Sequence, residues 1–181
     1  MTGLIKMPHT GLEVPHTRYM LAQFQQMATA TCGIAYSATL IEEERCVGVL
    51  ENKGNGGGTQ FYPATAEDHQ AVHTFAGACR LDGETPPDEE VFECLIVEYD
   101  LAQEVAKFGS GRTALLRAID EDGWIGITIG IDAAPARLAQ ADCPFLPRLA
   151  RDLKASDPYV TAWEFWTGDQ WQPLNLPVIP D

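Results

Sequence analysis

The sequence predicts an α+β fold in which an antiparallel sheet, built from three hairpins, carries helices packed on one face. Paired extended segments joined by short polar turns indicate hairpins, and helical patterns stand between the pairs instead of alternating strictly with single strands. With 181 residues, 45% hydrophobic and 21% charged, the chain has the composition of a folded protein. No fixed-period repeat or long linker is visible, so we predict a single domain over residues 1–181.

The first third of the chain is predicted to form a helix and then a hairpin. Five apolar residues recur at helical spacing between Thr17 and about Thr31, namely Met20, Leu21, Phe24, Met27 and Ala28. Residues 33–42 and 46–51 are predicted to form two strands around a polar turn. A glycine-rich loop at residues 52–58 and a short strand at about 60–62 follow.

Two helices are predicted in the middle of the chain. Thr65-Ala66-Glu67-Asp68 approximates a capping box, in which the Thr65 hydroxyl satisfies free amides of a helix that runs to about Leu81. Thr85-Pro86-Pro87-Asp88 begins a second helix, because proline is tolerated in the first turn, and this helix is predicted to reach about Phe108.

The last third is predicted to contain two hairpins and a short helix. Strands at residues 113–119 and 124–131 flank the turn 120–123, and four isoleucines of the second strand are expected on one buried face: Ile125, Ile127, Ile129 and Ile131. A short helix is predicted near residues 145–153. The third hairpin, from residues 160–166 and 170–174, turns around Gly168-Asp169.

The charge balance favours a basic protein partner over nucleic acid. The chain has 26 acidic and 12 basic residues and a formal charge of -14. Direct contact with phosphates is therefore unfavourable, whereas association with basic surfaces, including those that normally hold nucleic acid, is accelerated. The alternative is that the charge serves solubility alone.

The acidic residues are densest between Asp82 and Glu104, where there are nine of them and no lysine or arginine. The macrodipole accounts for acidic residues in the first helical turn. We predict a partner-binding surface on this helix, formed by Glu89, Glu93, Glu98, Asp100 and Glu104. The alternative is an ordinary solvated face.

The glycine-rich loop contains Asn52, Gly54, Asn55, Gly56 and Gly57. Exposed amides in such a run form anion-binding nests in some proteins. A phosphate-binding loop leads directly into a helix, however, and here another extended segment intervenes. The loop is predicted to be a wide, mobile turn, and a phosphate site is the alternative.

No motif in the sequence predicts catalysis. His69 and His73 have the spacing of two zinc ligands, but Gln70 stands where His-Glu-x-x-His proteases carry their general base, and no third ligand is evident. Gly109-Ser110-Gly111 lacks the nucleophile-elbow pattern. We therefore expect His69 and His73 to be surface histidines that bind no metal, with a metal site as the alternative. We expect no cofactor, and the sequence leaves enzymatic activity open, with a non-catalytic protein favoured.

The densest aromatic cluster lies in the last hairpin, at Trp163, Phe165, Trp166 and Trp171. Strand alternation places Trp163 and Phe165 on one face and Trp166 on the other. Closure of the core is one interpretation. The other is that Trp166 and Trp171 anchor a partner.

The chain is expected to be a cytoplasmic protein without a membrane partner. The N-terminal residues lack the apolar stretch of a signal peptide, and no segment approaches the length of a membrane span. The five cysteines lack the spacings of zinc sites or disulfide frameworks and are predicted to be buried thiols: Cys32, Cys46, Cys79, Cys94 and Cys143.

Residues 38–57 resemble small uncharacterised proteins of phages and bacteria. In those proteins a strand, a charged turn and a second strand lead into an Asn-x-Gly-x-Gly-Gly loop, which here reads Asn52-Lys53-Gly54-Asn55-Gly56-Gly57. The resemblance implies an origin in a mobile element and no particular chemistry.

The leading hypothesis is a non-enzymatic binding protein, for instance a phage or prophage accessory factor that inhibits a host defence or nucleic-acid-binding protein through its acidic surface. The first alternative is a structural or assembly protein, such as a virion component, joined through the tryptophan-rich hairpin. The second is a small metal-dependent hydrolase.

Overall fold

The computed structural model describes residues 3–28, 33–108, 113–120, 125–140, 143–157 and 159–178. The chain divides into two compact units, Met1–Asp100 (unit 1) and Leu101–Asp181 (unit 2). The predicted α+β class is confirmed, since every sheet is antiparallel and helices occur in both units. Whether the units unfold together as a single domain stays a prediction.

Unit 1 contains a small sheet, a large sheet and the helices that pack on it. The small sheet pairs β1 (Ile5–Lys6) with β2 (Glu13–Val14). The large sheet has the order β3-β4-β5-β6, with β3 (Tyr19–Ala28), β4 (Ile34–Glu42), β5 (Arg45–Asn52) and β6 (Gln60–Pro63). Helix α1 (Ala66–Ala78) follows, and helix α2 (Asp88–Phe108) begins in this unit.

The predicted helix at residues 17–31 is wrong, because residues 19–28 form the strand β3. Leu21 pairs with Leu40, and the register then shifts between Ala22 and Gln25. A bulge of this kind adds residues to one strand and resets its alternation. The apolar residues of β3 therefore recur at irregular spacings that imitate a helix, and Phe24 still packs against the core of unit 1.

The core of unit 1 lies between one face of the large sheet and the two helices. Most of its buried residues come from β4 and β5 on one side and from α1 and α2 on the other, including Ala38, Leu40, Val47, Leu50, Val72, Phe75, Val91, Phe92, Leu95 and Ile96. Leu12 and Val14, from the N-terminal segment, are also buried in this core. The predicted start of α1 is confirmed, since the Thr65 hydroxyl accepts a hydrogen bond from the Asp68 amide at 3.1 Å.

Unit 2 is built on a second four-stranded sheet with the order β10-β9-β7-β8. Its elements are β7 (Ala114–Ile119), β8 (Ile125–Ile131), α3 (Pro135–Leu138), α4 (Leu146–Ser156), β9 (Ala162–Trp166) and β10 (Trp171–Pro173). The second and third predicted hairpins therefore share the sheet of unit 2, and the first predicted hairpin lies in the large sheet of unit 1. Residues 121–123 of the predicted turn lie outside the described residues.

The prediction that the isoleucines of β8 are buried together is wrong for Ile127. Ile129 and Ile131 pack against the core of unit 2, but Ile127 is 53% exposed. It lies on an edge strand, near a register shift between Arg117 and Ile119 of β7. No helix in the described ranges is long and apolar enough to span a membrane.

Candidate functional site

Glu98 of α2 is buried, and the prediction that it belongs to an exposed surface is wrong. It accepts hydrogen bonds from the backbone amides of His9 at 3.0 Å and Thr10 at 2.9 Å, and from the Thr10 hydroxyl at 3.1 Å. Glu98 follows Val91 by two helical turns and Leu95 by one, so it lies on the buried side of the helix. Its carboxylate anchors the N-terminal segment to α2.

Glu93 of α2 also turns inward and is half-buried. Its Oε2 accepts hydrogen bonds from the Thr59 hydroxyl at 2.5 Å and from the Tyr36 hydroxyl, and the two hydroxyls contact each other. We call these three residues the Glu93 cluster. Burial and the hydrogen bond to Glu93 raise the pKa of Tyr36, so its phenol remains a donor.

The other three predicted carboxylates have separate environments. Glu89 is exposed as predicted, and its side chain covers Gly58, where an added Cβ would lie 2.2 Å from Glu89 Oε2. Asp100 is half-buried. Glu104, in unit 2, forms an ion pair with Lys107. The predicted partner-binding surface on α2 is therefore interrupted at Glu93 and Glu98.

The glycine-rich loop is ordered by its own asparagines. The Gly54 amide donates to Asn52 Oδ1 at 2.8 Å, and Asn52 Nδ2 donates to the Gly57 carbonyl at 3.1 Å. Asn55 Oδ1 accepts from the Gly57 amide at 3.3 Å. Gly54 and Gly56 have φ values of 64° and 85°, which favour glycine. The loop is therefore a turn with internal hydrogen bonds, and its predicted mobility stays a prediction.

The loop and α2, which the sequence suggested as separate sites, meet at the Glu93 cluster. Thr59 ends the loop, is 2% exposed and also lies 3.5 Å from Asn52 Nδ2. Sequence reasoning missed Thr59 and Tyr36. Tyr36 was detectable, because it alternates with Ala38 and Leu40 on the core face of β4. The hydrogen bonds from the two hydroxyls to one carboxylate connect Thr59 and Tyr36 to α2.

The carboxylates that remain exposed are concentrated before and at the start of α2. We call residues 82–90 the acidic segment; its exposed members are Asp82, Glu84, Glu89 and Glu90. Asp88 contacts His73, with 2.5 Å between Oδ2 and Nδ1. Fifteen of the 26 acidic and five of the 12 basic residues fall within residues 1–100. Unit 1 thus carries a formal charge of -10.

The histidine pair on α1 lies at the surface of unit 1. His69 and His73 are exposed, and their rings lie 6.4 Å apart at 12°. Within the described ranges, no three His, Cys, Asp or Glu residues are grouped so that they could hold a metal ion.

The described cysteines differ in their exposure to solvent. Cys79, Cys94 and Cys143 are buried or half-buried, but Cys46 is exposed, which corrects the prediction of a buried thiol there. Burial raises the pKa of Cys79 to about 11 and that of Cys94 to about 12. Neither is therefore a thiolate at neutral pH. Cys32 lies outside the described residues.

The two tryptophans predicted to anchor a partner lie side by side in unit 2. Trp166 and Trp171 are half-buried, with ring centroids 5.3 Å apart. The Arg117 guanidinium lies 4.4 Å from the Trp171 ring and donates to Glu164 at 2.7 Å. Trp166 also borders a cavity of about 210 Å³ together with Phe108. The pair is therefore packed within its own unit.

Unit 1 has a larger open groove, of about 720 Å³, beside the start of β3. His16, Tyr19 and Phe75 form its aromatic wall, with ring centroids 4.9 to 5.4 Å apart. Partial burial and the charge of Arg18 lower the pKa of His16. Arg18 also pairs with Glu42 at 3.5 Å. The groove brings aromatic, cationic and anionic groups together without a recognisable catalytic arrangement.

No protein family, curated protein or solved structure matches the chain.

Proposed function

We propose that this chain is a non-catalytic acidic protein that binds a basic protein surface through the acidic segment of unit 1. The observation that carries the proposal is the exposure of Asp82, Glu84, Glu89 and Glu90 in a stretch without lysine or arginine between Arg80 and Lys107. This proposal uses the acidic segment in place of the partner-binding surface predicted on α2, because only Glu89 of that predicted set is exposed.

The backbone of the acidic segment is held in place before any partner binds. Leu81 and Glu84 exchange two backbone hydrogen bonds, of 2.9 and 3.0 Å, around Asp82 and Gly83. Both turn residues have positive φ, and Pro86 and Pro87 then lead into α2. A preorganised segment loses little conformational entropy on binding. The positive end of the α2 dipole lowers the cost of gathering carboxylates there.

The partner in this proposal is a protein whose basic surface otherwise holds nucleic acid. A surface with several carboxylates competes for the same lysines and arginines as phosphates do, and the charge of -10 on unit 1 accelerates the encounter. In its most specific form, the proposal is that the chain is a phage accessory factor. It would inhibit a host defence protein or a nucleic-acid-binding protein.

The test uses a fluorescein-labelled decalysine peptide, with binding followed by polarisation at low and moderate salt. The test variant combines Asp82→Asn, Glu84→Gln, Glu89→Gln and Glu90→Gln. The control combines Glu43→Gln, Glu44→Gln, Glu67→Gln and Asp132→Asn, which remove the same charge from other exposed positions. We expect the test variant to bind about tenfold more weakly than the control at low salt. Equal weakening in both variants, or binding insensitive to salt, contradicts the proposal.

A further inference from the structure

The sheet of unit 1 ends in two edge strands of different character. One edge, β6, has four residues and ends in Pro63. The other edge, β3, has ten residues and contains no proline and no charged residue. Proteins usually protect long edges with charges, prolines, bulges or covering segments. Apart from the bulge near Gln23, β3 has none of these on its described outer side.

Among the described residues, only β4 pairs with β3, so the outer side of β3 is an edge of the sheet. In the part of the chain that the structure describes, the backbone hydrogen bonds of residues 19–28 are those to β4. Beyond the bulge, Gln25–Ala28 pairs regularly with β4, and all four of its residues are exposed. Met27 is 70% exposed and Met20, before the bulge, is 56% exposed. The strand thus offers a regular hydrogen-bonding edge flanked by apolar side chains.

The charge distribution indicates what pairs with this edge. No charged residue occurs between Arg18 and Glu42 in a chain with a formal charge of -14. A basic partner gains no electrostatic attraction from such a strand. Two copies of an acidic protein repel each other least where neither carries charge. An antiparallel strand pair across a two-fold axis is also self-complementary, because each strand presents the same groups to the other.

We propose that β3 is a dimer interface, at which two copies of the chain pair their β3 strands antiparallel and join their sheets. Pairing involves the regular stretch Gln25–Ala28, with Met27 side chains contacting across the new strand pair. This interface is independent of the acidic segment and has the opposite dependence on salt. Added salt screens the repulsion between the copies and strengthens the dimer, whereas it weakens binding to a basic partner.

The test measures molar mass by size-exclusion chromatography with light scattering, over a series of concentrations and salt. As the protein or salt concentration is raised, the measured molar mass of the full chain is expected to approach twice the 19.8 kDa of one copy. Met27→Lys, which places like charges across the dimer axis, is expected to give a monomer throughout. Ser37→Lys, on the adjacent inner strand and on the same sheet face, tests stacking of sheets. Ile127→Lys tests the other long uncharged edge, β8.

Two results support the proposal when they occur together: Met27→Lys alone dissociates the dimer, and amides of residues 19–28 exchange hydrogen more slowly as concentration rises. A full chain that stays monomeric at every concentration and salt overturns it. The proposal is also overturned if Met27→Lys leaves the dimer intact while Ser37→Lys or Ile127→Lys dissociates it. If β3 instead pairs with a segment of another protein, the amides of residues 19–28 in the isolated chain should exchange hydrogen at the same rate at every concentration. That result also contradicts the proposal.

Discussion

The Thr59 hydroxyl, at the end of the glycine-rich loop, donates a 2.5 Å hydrogen bond to the Glu93 carboxylate on α2. This contact joins two parts of unit 1 that lie 34 positions apart. The acidic composition of α2 predicted that Glu93 is exposed, but this contact turns its side chain away from solvent. The loop is therefore held to α2 by a specific polar contact as well as by its own asparagines.

Replacing Thr59 with valine is expected to lower the free energy of unfolding of unit 1 by about 1–3 kcal/mol, because the Glu93 carboxylate loses a buried donor. Hydrogen exchange of residues 52–59 should accelerate in the same variant. Thr39→Val is the control, because its hydroxyl bonds to Gln23 at an exposed site. Urea denaturation followed by circular dichroism provides the measurement. Equal effects of the two variants would show that the Glu93 cluster does not stabilise the loop.

Replacing Glu98 with glutamine is expected to cost about 1–3 kcal/mol, because a buried carboxylate that accepts from two amides and a hydroxyl becomes a neutral acceptor. The effect should concentrate in residues 5–14, whose amides should exchange faster. Glu90→Gln, on the exposed side of α2, is the control and should change stability little. A stable variant with unchanged exchange at residues 5–14 would contradict the anchoring role of Glu98.

The ion pair between Arg45 and Asp68 predicts a defined pH dependence. Hydrogen bonds from Arg45 and Thr65 lower the pKa of Asp68 below its ordinary 3.8. A carboxyl with a lowered folded-state pKa stabilises the protein above its unfolded-state value, and this stabilisation is lost as pH falls through the folded-state pKa. At neutral pH, the Arg45→Gln variant should therefore have a lower free energy of unfolding than the natural chain. The difference between the two free energies should become smaller as pH falls below 3.8.

The control for this pH series is Arg148→Gln, which removes an exposed pair with Asp152 whose nitrogen–oxygen distance is 3.7 Å. Such pairs contribute little. Free energies of unfolding measured from pH 7 to about pH 2 test both variants. If the free energies of unfolding of Arg45→Gln and the natural chain differ by the same amount at every pH, the ion pair with Asp68 does not cause the pH dependence.

Local sequence signals predicted most of the elements but not the partners of polar side chains. The Thr65 cap and the start of α2 at Asp88 follow from interactions within a few residues, and both were predictable. The strand β3 was not, because its bulge is defined by pairing with β4.

The candidate site was predictable only in part. Helical spacing already placed Glu98 beside Leu95, so its burial was detectable, but the amides of His9 and Thr10 that satisfy it come from a distant segment. A buried carboxylate requires such partners, and these are fixed by tertiary structure. The density of acidic residues therefore indicated where charge accumulates and left open which carboxylates reach solvent.

The Arg117 side chain supports the tryptophan pair of unit 2. It is 12% exposed, pairs with Glu164 at 2.6 Å and lies over the Trp171 ring. Arg117→Met keeps much of the apolar stem but removes both interactions, leaving the Glu164 carboxylate without that cation. We expect a loss of about 1–3 kcal/mol and a changed Trp emission maximum.

All four tryptophans lie in residues 101–181, so their fluorescence reports on unit 2. Urea unfolding followed by this signal measures the effect of Arg117→Met, and Arg151→Met, on the exposed side of α4, is the matched control. The same experiment tests the prediction of a single domain, because fluorescence and circular dichroism must then give coincident transitions. If Arg117→Met and Arg151→Met behave alike, Arg117 does not hold the tryptophan pair in place.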